Sequence, residues 1–127
     1  MRILIDTNRL SDFFHGDRHM GKLIEESPLV RIPFIAQAEL EAGFLGGAQT
    51  IKNRAKLQTL LERQNVALLF PNHNTTMFWA ELAVQLRRAG TPIPDNDLWI
   101  AALALQHDLA LATRDKHFQV IGQLHFI

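Results

Sequence analysis

Short apolar runs separated by stretches of helical periodicity constrain this chain more than any other feature. Ile3-Leu4-Ile5, Leu29 to Pro33, Val66 to Phe70 and Leu109 to Thr113 read as buried strands. Between them, apolar residues recur three or four positions apart. Strands alternating with helices predict an α/β fold, a mostly parallel central sheet flanked by helices in three layers. In such a sheet the carboxyl ends of the strands and the amino ends of the following helices meet at one rim, where sites are usually built.

The elements follow in order. After a strand over Arg2 to Asp6, Leu10, Phe13 and Phe14, then Met20, Leu23 and Ile24, mark helix faces, and Ser27-Pro28 breaks the helical stretch. Ile35 to Leu45 is helical and closed by Gly46-Gly47, and a helix over Thr50 to Arg63 carries Ile51, Leu57, Leu60 and Leu61 with basic residues between them. Phe78, Leu82 and Leu86 recur every fourth residue in a helix over Asn74 to Ala89, which Gly90 ends. A further helix opens near Asp95 and runs to Gln106, and Leu124 to Ile127 reads as a short edge strand. No repeat, linker or low-complexity tract interrupts the pattern, so one domain over residues 1–127 is expected.

Four acids fall at telling places in this layout. Asp6 ends the first apolar run, Asp97 opens the helical run Leu98 to Gln106, Asp115 follows the last strand, and Glu39 lies mid-helix. Gathered carboxylates repel one another, and a hard divalent cation with oxygen ligands, such as Mg²⁺, is the simplest remedy. Each acid also has a plainer role. Asp6 and Asp95 suit helix N-caps, acids in a first turn complement the helix dipole, and Asp115 suits a turn. Asp97 shares a helix face with Ile100, Ala101 and Ala104, where an acid is costly unless paired or metal-bound. Spacing leaves both Glu39 and Glu41 open, although Gly43, one turn after Glu39, leaves room beside its carboxylate and makes Glu41 the solvated one.

Other chemistries find little support. Cysteine is absent, which removes disulfides, thiol nucleophiles and cysteine-held zinc and fits a reducing compartment. Only Ser11 and Ser27 are present, without a GxSxG turn, and Gly46-Gly47 lacks the pattern of a phosphate-cradling loop. His15 and His19 have ligand spacing, but Gly16-Asp17 places a loop between them; His73, His107, His117 and His125 are scattered. Lys52, Arg54, Lys56, Arg63, Arg87 and Arg88 read as solubilising, and Trp79 and Trp99 as core or interface anchors. No run approaches the length of a membrane span and no signal peptide is visible, so no membrane partner and a cytoplasmic location are expected. The 13 basic residues balance 13 acidic ones, which argues against a general nucleic-acid binder but not against a nuclease whose site is acidic.

Four segments then align with a known pattern. Leu4-Ile5-Asp6-Thr7-Asn8, Ala38-Glu39-Leu40-Glu41-Ala42-Gly43, Pro92-Ile93-Pro94-Asp95-Asn96-Asp97-Leu98-Trp99-Ile100-Ala101-Ala102 and Ala112-Thr113-Arg114-Asp115-Lys116-His117-Phe118 resemble the ordered motifs of PIN domains, specifically the VapC-type toxins of toxin–antitoxin pairs. The resemblance covers almost the whole chain. It implies a metal-dependent endoribonuclease that hydrolyses RNA phosphodiesters with Mg²⁺ or Mn²⁺ held by Asp6, Glu39, Asp97 and Asp115. Asp95 becomes an auxiliary ligand, and Thr7, Asn8 and Thr113 become supports of the acidic cluster. It also favours Glu39 over Glu41 and implies a homodimer with a cognate antitoxin partner. Asn72-His73 departs from the pattern, since many relatives carry an acid there.

Two other readings compete. In an aspartyl-phosphate phosphatase or receiver-like domain, Asp6 itself would be phosphorylated. Asp6-Thr7-Asn8 lacks the second Asp such phosphatases use, and Asp6 is expected to end an outer strand rather than a central one. A non-catalytic binding module of the same fold would have no reason to keep costly clustered charge.

Overall fold

The computed structural model describes residues 1–127. Strands β1 (Arg2–Ile5), β2 (Leu29–Pro33), β3 (Val66–Leu69) and β4 (Ala110–Ala112) form one sheet in the order β3-β2-β1-β4, every pairing parallel. Helices α1 (Thr7–Phe14) and α2 (Arg18–Glu26) join β1 to β2, and α3 (Phe34–Gly46) and α4 (Thr50–Leu61) join β2 to β3. Helices α5 (His73–Arg88) and α6 (Asp95–Gln106) then carry the chain back across the sheet to β4. A 3-10 turn over Lys116–Val120 follows.

Strand alternation divides the interior into two cores. Ile3 and Ile5 of β1 face a core with Leu10, Met20, Ile24, Leu40, Leu57 and Leu60 from α1 to α4. Leu4, between them, faces Leu82, Leu86, Ile100 and Leu103 from α5 and α6, together with Phe118. All three β1 residues are fully buried, as expected of a parallel strand covered on both sides. This confirms the three-layer α/β architecture.

The topology also fixes where a site can form. From β1 the chain first moves outward to β2 and β3, then returns to place β4 on the other side of β1. The direction of winding therefore reverses between β1 and β4, and in open α/β sheets such a switch point opens a crevice at the carboxyl ends of the strands. Asp6 is the next residue after β1, and Thr113 the next after β4.

Several expectations need correction. β1 is an interior strand, because β4 pairs along its other edge, so the argument that Asp6 ends an outer strand fails. Leu124 to Ile127 is not a strand; it makes one parallel bridge, Leu111 to Phe126, on the outer edge of β4. α4 meets the core through Leu57, Leu60 and Leu61, while Ile51 faces solvent. Asp95 does not cap α6: it is the first helical residue, Pro94 occupies the cap position, and no side-chain capping bond forms.

Because Leu4 alone carries β1 into the second core, Leu4→Ala is expected to destabilise the fold by about 2–5 kcal/mol, the usual cost of truncating a buried leucine. Urea denaturation measures it; a loss below ~1 kcal/mol would mean that the α5–α6 layer does not depend on this contact.

Candidate metal centre

The Thr113 hydroxyl joins the two strand ends. It donates to Asp6 Oδ2 at 2.7 Å and accepts the Asp115 backbone N–H at 2.9 Å. Asn8, in the first turn of α1, donates to Asp6 Oδ2 at 3.2 Å and accepts the Arg114 backbone N–H at 3.1 Å. The Asp6 backbone N–H reaches Ala112 O at 2.9 Å, and its Oδ1 accepts the Thr7 N–H at 2.8 Å. Asp6 is thus both a helix cap and a rim acid; the two roles coexist. It is only 5% exposed, so its carboxylate is fixed by neighbours rather than by water.

Asp97 lies in the first turn of α6 and Asp115 at the start of the 3-10 turn. His117 joins them, its Nδ1 lying 3.1 Å from Asp97 Oδ2 and 3.1 Å from Asp115 Oδ1. Its backbone N–H also donates to Asp115 Oδ1 at 2.9 Å. Ligand atoms of Asp97, Asp115 and His117 all lie within 4.8 Å of one another. Sequence spacing treated His117 as scattered. The overlooked signal was its position two residues after Asp115, where a tight turn folds the ring back over the carboxylate.

The remaining candidates take separate places. Glu39 extends from α3, and its Oε1 accepts the Thr7 hydroxyl at 3.0 Å, which ties it to the residue beside Asp6. Glu41 is not the solvated residue expected, because Arg54 Nε holds it at 2.7 Å; Glu39 is the more exposed of the two. Asp95 is exposed and makes no side-chain hydrogen bond, so nothing ties it to the cluster. Asn72, where relatives often carry an acid, caps α5 in a reciprocal capping box with Thr75.

Electrostatics reflects the crowding. Burial pushes the Asp6 carboxyl above the ordinary carboxylate range, and the Asp115 charge adds to the rise, against hydrogen bonds from Thr113, Thr7 and Asn8. Burial likewise raises Asp97, opposed by the His117 bond and reinforced by the charges of Asp115 and Asp6. Those mutual effects place Asp6, Asp97 and Asp115 in one electrostatic neighbourhood. Nearby, Arg114 clamps Asp12 with bonds of 2.8 and 3.0 Å, and Arg9 reaches the same carboxylate at 2.7 Å. These bonds hold Asp12 below the usual carboxylate range and fasten the loop after β4 to α1.

Oxygen donors crowded at this rim, with charge they can shed only by protonation, suit a hard divalent cation. The residues present therefore fit Mg²⁺ or Mn²⁺, with Asp97 and Asp115 in the group whose ligand atoms lie together and Asp6 joined to it through Thr113. An apolar groove lies elsewhere, between α1 and α4, where Phe13, Phe14 and Leu60 are rimmed by Lys52, Lys56 and Arg63. It carries no acid and no part of this chemistry. Trp79 and Trp99 are both half-buried and pack at 5.7 Å between ring centroids, with Trp79 against the α5–α6 core.

Comparison with known proteins agrees with this geometry. The PIN domain family model matches residues 3–124, and the chain belongs to that family. Ribonuclease VapC1 of Haemophilus influenzae (strain R2866) is 35% identical over 108 residues, covering 84% of this chain and 78% of the relative. Ribonuclease VapC5 of Mycobacterium tuberculosis is 30% identical over 104 residues, covering 80% and 77%. The VapBC-1 structure from nontypeable Haemophilus influenzae superposes with a TM-score of 0.84 at 30% identity, covering all of this chain and 97% of that one.

The raised carboxyls give a signed prediction. A carboxyl whose folded-state pKa exceeds its unfolded value stabilises the fold fully below about pH 4, and loses that contribution as pH rises through the folded value. At pH 7 with chelator present, Asp97→Asn is therefore expected to melt higher than the unsubstituted protein, with the gap closing as pH falls toward 4. Differential scanning calorimetry reads this; a variant that melts lower at pH 7 would contradict the account of charge crowding.

Proposed function

We propose that this chain is a divalent-cation-dependent endoribonuclease, the toxin of a toxin–antitoxin pair that acts in the cytoplasm. One observation carries the reading: at the β1–β4 switch point Thr113 links Asp6 to the Asp115 backbone and His117 links Asp115 to Asp97, in a chain similar to named ribonucleases. Asp6, Asp97, Asp115 and Glu39 are assigned to the cation, with Thr7, Asn8 and Thr113 as their supports.

When bound, Mg²⁺ or Mn²⁺ supplies Lewis acidity at the scissile phosphate and lowers the pKa of an attacking water. The chain's own work is preorganisation. Thr113 and Asn8 hold Asp6 Oδ2, and Thr7 holds Glu39, so the carboxylates need no rearrangement as charge develops. No side chain is required as nucleophile, which accords with the absence of cysteine and of an activated serine. The aspartyl-phosphate reading gains nothing from the interior position of β1, because Asn8 stands where the second Asp is needed.

An antitoxin is the protein partner this reading requires, as in the VapBC complexes that resemble this chain. The basic-rimmed apolar groove between α1 and α4 fits an acidic amphipathic segment of such a partner. A homodimer is proposed as its working form.

Cleavage of structured RNA tests the function. The unsubstituted protein is expected to cut with Mg²⁺ or Mn²⁺ and to stop with chelator, while Asp6→Asn and Asp97→Asn each lose activity on the order of 100-fold or more. Equal cutting by all three proteins, or indifference to chelation, would overturn the assignment.

A further inference from the structure

We propose that His117 is a nitrogen ligand of the cation and that it makes this centre prefer Mn²⁺ to Mg²⁺. The inference rests on the cation site proposed above and adds a residue to it. His117 Nδ1 is equidistant from Asp97 Oδ2 and Asp115 Oδ1, at 3.1 Å from each. An octahedral ion with ligand distances of about 2.1 Å sets neighbouring ligand atoms about 3 Å apart. The nitrogen and each carboxylate oxygen are therefore spaced like adjacent corners of one coordination sphere.

The ring is placed there by the backbone. Asp115 Oδ1 accepts the His117 N–H at 2.9 Å, and this turn keeps ring and carboxylate side by side. Phe118, the next residue, is fully buried in the α5–α6 core and anchors the turn from the other side. Nδ1 already faces both carboxylates and can donate to Asp97 Oδ2; with the side chain 57% exposed, the proton can sit on Nε2 instead and leave the Nδ1 lone pair for the cation. Ligation uses the neutral ring with its proton on Nε2, an atom free of protein partners.

Selectivity follows from ligand chemistry. Mg²⁺ takes oxygen ligands and gives up its waters reluctantly, so an imidazole offers it little. Mn²⁺ is also well served by carboxylates, but as a first-row transition ion it gains more from a nitrogen donor than Mg²⁺ does. A purely carboxylate site would distinguish the two ions less.

Pulsed electron paramagnetic resonance of the Mn²⁺-loaded protein, with isothermal titration of Mn²⁺ and Mg²⁺, tests this on the full chain and on His117→Gln and Asp97→Asn. The expected result is imidazole-nitrogen modulation in the unsubstituted protein and none in His117→Gln. Mn²⁺ affinity should fall about tenfold in that variant, while Mg²⁺ affinity changes less than about twofold. Mn²⁺ bound without nitrogen modulation, or an unchanged preference in His117→Gln, would overturn the role of His117. If Asp97→Asn still abolished binding in that case, the carboxylate site would stand. Failure of the unsubstituted protein to bind either ion would overturn both.

Discussion

Mutual repulsion among carboxylates, held in place by a neutral hydroxyl, is the constraint around which this rim is arranged. Thr113 donates to Asp6 and accepts from the Asp115 backbone, so one side chain fixes the relation between the ends of β1 and β4. Burial, with a smaller contribution from the neighbouring carboxylates, makes Asp6 and Asp97 hold protons more tightly than usual. The fold tolerates this because β1 is buried by both cores and cannot shift to separate the acids. Packing thus holds a charge arrangement that electrostatics alone would disperse.

The topology turns that local strain into a site. Helices α1 to α4 cover one face and α5 and α6 the other, and the reversal between them leaves the crevice at Asp6 and Thr113 open. Asp97 enters it from the first turn of α6, where the positive end of the helix dipole partly offsets its charge. Asp115 and His117 enter from the turn after β4, fastened below by Phe118 and to the side by Arg114 on Asp12. Glu39 comes from α3 through Thr7. Residues separated by over a hundred positions meet because three successive crossovers return to one edge.

Much of this was legible in the sequence. Continuous apolar runs such as Ile3-Leu4-Ile5 fit strands covered on both faces, and the residue after such a strand emerges at the rim. The interior position of β1 was not legible, because strand order depends on crossover direction rather than on any local pattern. His117 was missed for a related reason: its partners lie two and twenty residues away, and only the tight turn at Asp115 brings both to one ring. Glu41 was misjudged because its cation, Arg54, sits on a different helix. Asp95 looked like a cap by residue type, but Pro94 already starts the helix in extended geometry.

Diffraction from a crystal soaked in Mn²⁺, collected at a wavelength where manganese scatters anomalously, reads the central claim most directly. The account predicts an anomalous peak at the β1–β4 rim, roughly 2.0–2.5 Å from oxygens of Asp97 and Asp115. A rim without such a peak, in a crystal whose other sites take up manganese, would contradict it.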